Sequence, residues 1–306
     1  MNVSVLETLL NQGSFVVTAE IGPPKGSDTT LFSQKAALIK DFADAFNVTD
    51  NQTAVVRLSS FSGSLLIKQI GMEPILQMSC RDRNRIALQS DILGASALGI
   101  HNILFVTGDH QIMGNHPQSK GVFDIDSIQL IHIAKRLSKD GYFQNGEEVK
   151  RGKPTVFIGG VSNPFASPQS YRVNRLEKKA QAGAQFIQTQ SVFNLERFAV
   201  FMDMVYEQGL HKDLFILAGI TPIKSEKMLN RMKYHVPGVD IPDNIYNRLM
   251  NASDFQHESL IITLDMIKEI QRLKGVSGIH ITALFWEDII PKIIKEAGLL
   301  PRPSID

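Results

Sequence analysis

FVVTAEIGPP, residues 15–24, is the stretch whose reading decides the fold. Val, Phe and Thr favour a buried strand, and Glu20 is the one acid within the run. A carboxylate is costly to bury unless it is paired or used. Gly22-Pro23-Pro24 then fixes the backbone just beyond it. An acid at the C-terminal end of a strand, braced by a rigid loop, is where α/β barrels keep catalytic groups. Alone, the stretch reads equally as a solvated acid at a strand end. The rest of the chain decides.

Seven further β-rich apolar runs follow, at residues 45–49, 74–78, 102–106, 155–160, 186–190, 214–220 and 278–284. Between them lie stretches of helical period. Leu88, Ile92 and Ala95 fall at i, i+4, i+7, as do Leu130, Ala134 and Leu137. Asp126 and Asn194 stand where N-caps belong, and Gly99 and Gly183 where helices end. Eight strand–helix units with nearly continuous apolar strands predict a parallel sheet covered by helices. The competitor is an open doubly wound sheet, but no G-x-G-x-x-G follows any strand. The expectation is one (β/α)8 barrel domain over residues 1–306. Residues 235–253 should add an extra helix before the last strand, and the polar loop 140–153 should lie on the bottom face.

Composition narrows the class. The 306 residues are 43% hydrophobic, enough for a large core. A formal net charge of +1 gives no field to recruit nucleic acid or a membrane. The single cysteine, Cys80, excludes an intramolecular disulfide or a zinc site of several thiolates, and reads as a small buried residue. The first residues, an amphipathic turn or two, lack the basic-then-apolar pattern of a secretory signal. No apolar run approaches the ~18–20 residues that span a bilayer. A cytoplasmic protein is expected.

In a barrel the C-terminal strand ends form the site. Here they collect Glu20, Thr49 to Gln52, Gln77 to Arg85, Thr107 to His110, Asn163, Gln188 to Gln190, Thr221 and Phe285 to Glu287. Two acids, Glu20 and Asp109, stand among amides and hydroxyls suited to reading the edge of a flat heterocycle. His110 is the only histidine assigned to a strand end. No G-x-S-x-G elbow or H-E-x-x-H pair is present, which disfavours serine hydrolysis and a metal site. Arg81 and Arg83 suit either a solvated helix start or an anionic ligand.

At this point AEIGPP, MSCRDRN, FVTGD, AGAQFIQTQ, HITAL and AGLLPRP, in that order, resemble the methylenetetrahydrofolate reductase family over nearly the whole chain. The likeness is to the short form, a catalytic barrel without the regulatory extension of eukaryotic members. It implies a (β/α)8 barrel that binds a flavin, FAD or alternatively FMN. Electrons would come from NADH, NADPH or an electron-transfer partner subunit, and 5,10-methylenetetrahydrofolate would be reduced to 5-methyltetrahydrofolate. Glu20 matches the family's general acid, and Asp109 its acid beside flavin and pterin. Gln190 matches a pterin-contacting glutamine. Thr49, Gln77, Thr107, Gly108, Phe123, Asn163 and Lys179 match flavin-lining positions, with Lys179 suited to the cofactor phosphate. Trp286 stands at the substrate-facing position. Assembly as a homo-oligomer is expected, with no nucleic acid or membrane partner.

The sequence also departs from the family pattern. Gln77 and Asn163 stand where many members carry histidine, and Arg172 and Arg175 where better-known bacterial members carry Asp and Asn. Trp286 replaces an arginine, and Met228 and Met232 replace a glutamine and a phenylalanine. Two other readings stay open: a flavin-free pterin-binding methyltransferase barrel, and a subunit that takes its electrons from a partner.

Overall fold

The structure is a computed structural model that describes residues 4–283 and 285–305. In chain order it runs α1 (Val5–Asn11), β1 (Val16–Ile21), α2 (Thr30–Ile39), β2 (Ala45–Val48), α3 (Ser60–Gln69) and β3 (Pro74–Ser79). It continues through α4 (Arg85–Ala97), β4 (Asn102–Val106), α5 (Ser127–Lys135), β5 (Phe157–Ser162), α6 (Gln169–Ala182) and β6 (Phe186–Ser191). Then come α7 (Leu195–Glu207), β7 (Phe215–Ile220), α8 (Glu226–His235), α9 (Asp243–Met250), α10 (Phe255–Ile270), β8 (Val276–Ile281) and α11 (Ile290–Glu296). The eight strands pair in parallel in chain order, and β8 closes onto β1 with Thr18 opposite His280.

The predicted barrel is therefore present, strand for strand. β8 begins two residues earlier than its pattern implied and ends at Ile281; Leu284, placed at its end by the sequence, lies outside the described residues. The extra helix before the last strand is α9. The 140–153 loop joins α5 to β5, which puts it on the bottom face, where Tyr142 and Glu148 pair in a short antiparallel bridge. Asp126 caps α5 in a full capping box with Gln129, and Asn194 caps α7.

Period-2 alternation decides which side chains enter the barrel. Val17, Ala19 and Ile21 of β1 belong to the layer between sheet and helices, whereas Val16 points inward. Thr18 and Glu20 follow Val16 onto the inner face. The lower interior is apolar, built from Val16, Ala45, Ile75, Leu104, Phe157, Phe186 and Leu217. The bottom is plugged by α1, whose Leu6, Leu9 and Leu10 are nearly or wholly inaccessible. Ser4 caps that helix through Glu7 N–H at 3.0 Å and Glu73 accepts from Val5 N–H at 3.0 Å, so the plug is fixed. Above the apolar layers the interior turns polar.

Candidate active site

The polar upper interior opens into a cavity of about 570 Å3 at the C-terminal mouth, within the usual range of small-molecule sites. Glu20, Gln77, Thr107, Gly108, Asp109, Asn163, Lys179 and Gln190 all line it. The sequence therefore brought most of its candidates to one place.

Glu20 sits at the top of β1 with its side chain only 16% exposed. Burial pushes its carboxyl up to about 7; a hydrogen bond with Gln77 opposes the rise and the nearby Glu287 carboxylate adds to it. Such a group holds a proton near neutral pH, as a general acid must.

Beneath Glu20 lies a buried polar column. Asn47 Nδ2 donates to Gln188 Oε1 at 2.6 Å, and Gln188 Nε2 donates to Asn47 Oδ1 at 2.9 Å and to Thr18 Oγ1 at 3.2 Å. The Thr18 hydrogen has His280 Nδ1 at 2.9 Å but Ile279 O only at 3.5 Å. The shorter contact assigns Nδ1 as acceptor and leaves the proton on Nε2. That nitrogen lies 3.3 Å from Thr282 Oγ1 and 3.9 Å from Glu20 Oε2. Burial pushes His280 down to about 3, so the ring is neutral and the contact with Glu20 is no ion pair. Sequence reading missed His280, and His110 was not the sole histidine at a strand end. Its signal was there: in G-I-H-I the histidine falls on the inward phase of β8.

On the opposite wall three cations, Arg172, Arg175 and Lys179, project from one face of α6 into the cavity. Among the described residues none of them forms an ion pair with a carboxylate. Lys179 is 7% exposed and donates to Val161 O. Burial lowers its ammonium to about 8, with the neighbouring Arg175 acting in the same direction and Asp126 against it.

The rim is braced by arginines. Arg81, 2% exposed, donates to the carbonyls of Asn51 and Asp109, each at 3.2 Å, and pairs with Asp82 at 2.8 Å. It thus ties together the loops after β2, β3 and β4. Arg83 pairs with Asp50 and with Asp91. Both are brackets, neither a solvated helix start nor unengaged anion ligands. Gly108 has φ +90°, and a Cβ there would lie 3.1 Å from Arg81 Cβ, so glycine is required for the loop to close on the bracket. The exposed Asp109 rides on that loop.

Three predicted site residues are not in the cavity wall. Thr49 is buried and donates to Gln52, which does line the cavity, so it acts one residue removed. Phe123 stacks on His110, ring centres 6.3 Å apart, on the outer loop. Trp286 is 7% exposed and turned into the protein, while its neighbour Phe285, with φ +56°, is 72% exposed. Met228 and Met232 also pack on the hydrophobic core instead of the cavity. Cys80 is fully buried and its thiol is pushed up to about 12, mainly by burial, so it is inert packing. Among the described residues no cluster of three metal-ligating side chains is found, and no helix is long and apolar enough to cross a membrane.

A sequence model described as methylenetetrahydrofolate reductase matches residues 5–298. The chain belongs to the methylenetetrahydrofolate reductase family. Family relatives are distant: 5,10-methylenetetrahydrofolate reductase of Pectobacterium carotovorum subsp. carotovorum is 26% identical over 95% of this chain and 92% of its own length. Methylenetetrahydrofolate reductase 2 of Schizosaccharomyces pombe is 24% identical over 98% of this chain, which spans 48% of that longer protein. An uncharacterised protein from Clostridium thermocellum that binds two copies of 5-methyl-5,6,7,8-tetrahydrofolic acid shares the fold, with TM-score 0.71 and 18% identity over 97% of this chain and all of that one.

Proposed function

We propose that this chain is the catalytic barrel of a flavin-dependent cytoplasmic reductase that converts 5,10-methylenetetrahydrofolate to 5-methyltetrahydrofolate. The observation that carries the reading is Glu20, a carboxyl that burial pushes up to about 7 at the inner wall of a cavity, in a chain whose family model spans residues 5–298. The names of the bacterial and yeast relatives support the substrate, as does the folate bound by the Clostridium protein.

The residues suit a flavin nucleotide. The arginines and lysine of α6 supply charge for phosphate without a competing carboxylate. Gln77 and Asn163 offer amide donors and acceptors for a flat ring edge. A flavin bound there supplies the hydride. The chain's own part is acid and electrostatic. Glu20 gives its proton to N10 of the folate as the bond between N10 and the methylene carbon breaks, leaving a cationic iminium at N5. The Asp109 carboxylate at the rim favours that cation, and Gln190 orients the pterin. No residue of α8 that the family pattern uses against a nicotinamide faces the cavity, since Met228 and Met232 pack on the core. This favours electrons delivered by a partner protein over direct reduction by NADH or NADPH.

Purified protein incubated with FAD or FMN should turn yellow. With an artificial electron donor it should form 5-methyltetrahydrofolate, and with NADH alone it should do so far more slowly. Colourless protein that takes up neither flavin contradicts the reading.

A further inference from the structure

Glu20 lines two spaces. Behind it, away from the large cavity, lies a second chamber of about 60 Å3, bounded by Glu20, Gln52, Lys35, Arg57, Phe285 and Glu287. Only Glu20 and Gln52 belong to both, so the carboxyl stands in the partition between them. A buried water needs only about 10–15 Å3 of such space, so the chamber has room for water. Its walls provide the polar partners such waters need. Lys35 Nζ donates to Glu287 Oε2 at 2.9 Å, and Arg57 Nη1 donates to Pro23 O at 3.0 Å. Arg57 Nε is a buried donor with no acceptor among the described residues, and a buried N–H is rarely left so unless water serves it. Phe285, 72% exposed, and the exposed Gly22 bring the chamber to the protein surface.

We propose that this chamber is the port through which Glu20 is reprotonated from solvent while folate fills the main cavity. The inference rests on the general-acid reading of Glu20. Each turnover leaves Glu20 as a carboxylate. A chamber water gives it a proton, one O–H bond breaking as another forms on Glu20, and the deficit passes outward to bulk water. One proton enters per turnover, and nothing is oxidised or reduced in the step. The charged groups around Glu20 are Glu287 on the β8 side, Lys35 from α2 and Arg57 from the loop after β2, with neutral His280 below. Asp50, Arg81, Asp109 and the cations of α6 (Arg172, Arg175, Lys179) line the main cavity with it. The Lys35–Glu287 pair gives the port both signs of charge.

Gly22→Val tests this. A Cβ at Gly22 meets only the Gln52 amide, at 3.5 Å or more, an ordinary van der Waals contact, and Gly22 lines the chamber, so a larger side chain there takes up part of its space. With the artificial donor, kcat should fall by about tenfold or more, as expected when proton delivery limits. The solvent deuterium isotope effect on kcat should rise, while the Kd for 5-methyltetrahydrofolate stays unchanged. The smaller Gly22→Ala should fall between the two. In flavin-free protein, Glu287→Gln should lower the midpoint of the Glu20 carboxyl band, read by infrared difference against Glu20→Gln. If Gly22→Val binds folate normally and keeps its kcat and isotope effect, the proton enters through the main cavity and the port is refuted. An unmoved Glu20 midpoint in Glu287→Gln refutes the electrical contact. Native protein that never reduces methylene folate overturns the proposed function and takes the port with it.

Discussion

His280 Nε2 stands 3.9 Å from Glu20 Oε2, and both side chains are nearly enclosed by the barrel. Burial acts on them in opposite directions, up to about 7 for the acid and down to about 3 for the imidazole. Around pH 5 both are neutral. The pair therefore contributes a polar contact and not charge attraction.

This arrangement makes stability depend on pH with a definite sign. Glu20 has its folded value raised above the ordinary 4.5, so native protein holds this proton more tightly than unfolded chain. No penalty is felt below about pH 4.5, and stability is lost as pH rises through about 7. Glu20→Gln should thus gain on the order of 3 kcal/mol at pH 8 and nothing at pH 4, read by urea unfolding at both. His280 works the other way: its folded value is lowered, so its stability is present above 6.5 and lost toward pH 3.

The column below the acid is a unit. Thr18→Val keeps the shape but removes the acceptor of Gln188 and the donor to His280. Unfolding experiments should show a loss of about 1–3 kcal/mol. Combined with His280→Leu the losses should not add, since the two share one hydrogen bond.

Phosphate binding should fade in alkali. Lys179 is held at about 8, so raising pH through that value discharges one of the three cations on α6. The Kd for FMN by fluorescence quenching should weaken between pH 7 and 9, with an opposing shift from the bound phosphate itself. In Lys179→Met the affinity should be about tenfold or more lower at pH 7, and this dependence should vanish.

Gly219 serves the neighbouring strand. β6 shifts register between Gln188 and Ser191, and a Cβ at Gly219 would lie 2.5 Å from Thr189 O and 2.8 Å from Gln190 O. The shift puts Gln188, Thr189 and Gln190 all on the cavity wall, where strict alternation would turn one away. Gly219→Ala should cost about 1–3 kcal/mol by denaturant titration and should weaken folate binding, since Gln190 must move.

The barrel was legible because parallel strands buried on both faces leave long apolar runs, and eight such runs alternate with helical spacing. Glu20 was legible as a polar break at a strand end. What escaped were orientations. His280 hides in an apolar run and is placed by phase against Thr18 across the barrel seam. Trp286 is turned into the protein and Phe285 outward, with Phe285 at φ +56°, which nothing local in F-W-E-D announces. Arg81 suited either a solvated helix start or an anionic ligand, and its bracing role shows only once partners distant in sequence come together around it. The plug α1 looked like an unremarkable amphipathic turn, since only the closed barrel gives its leucines a bottom to fill.

The most direct test of the account is Glu20→Gln, followed in the two half-reactions separately. Bleaching of the bound flavin by an artificial donor should proceed at the native rate, while reduction of 5,10-methylenetetrahydrofolate should fall by at least about a hundredfold, as loss of a general acid requires. Equal loss in both halves, or folate reduction that survives, would contradict the role given to Glu20.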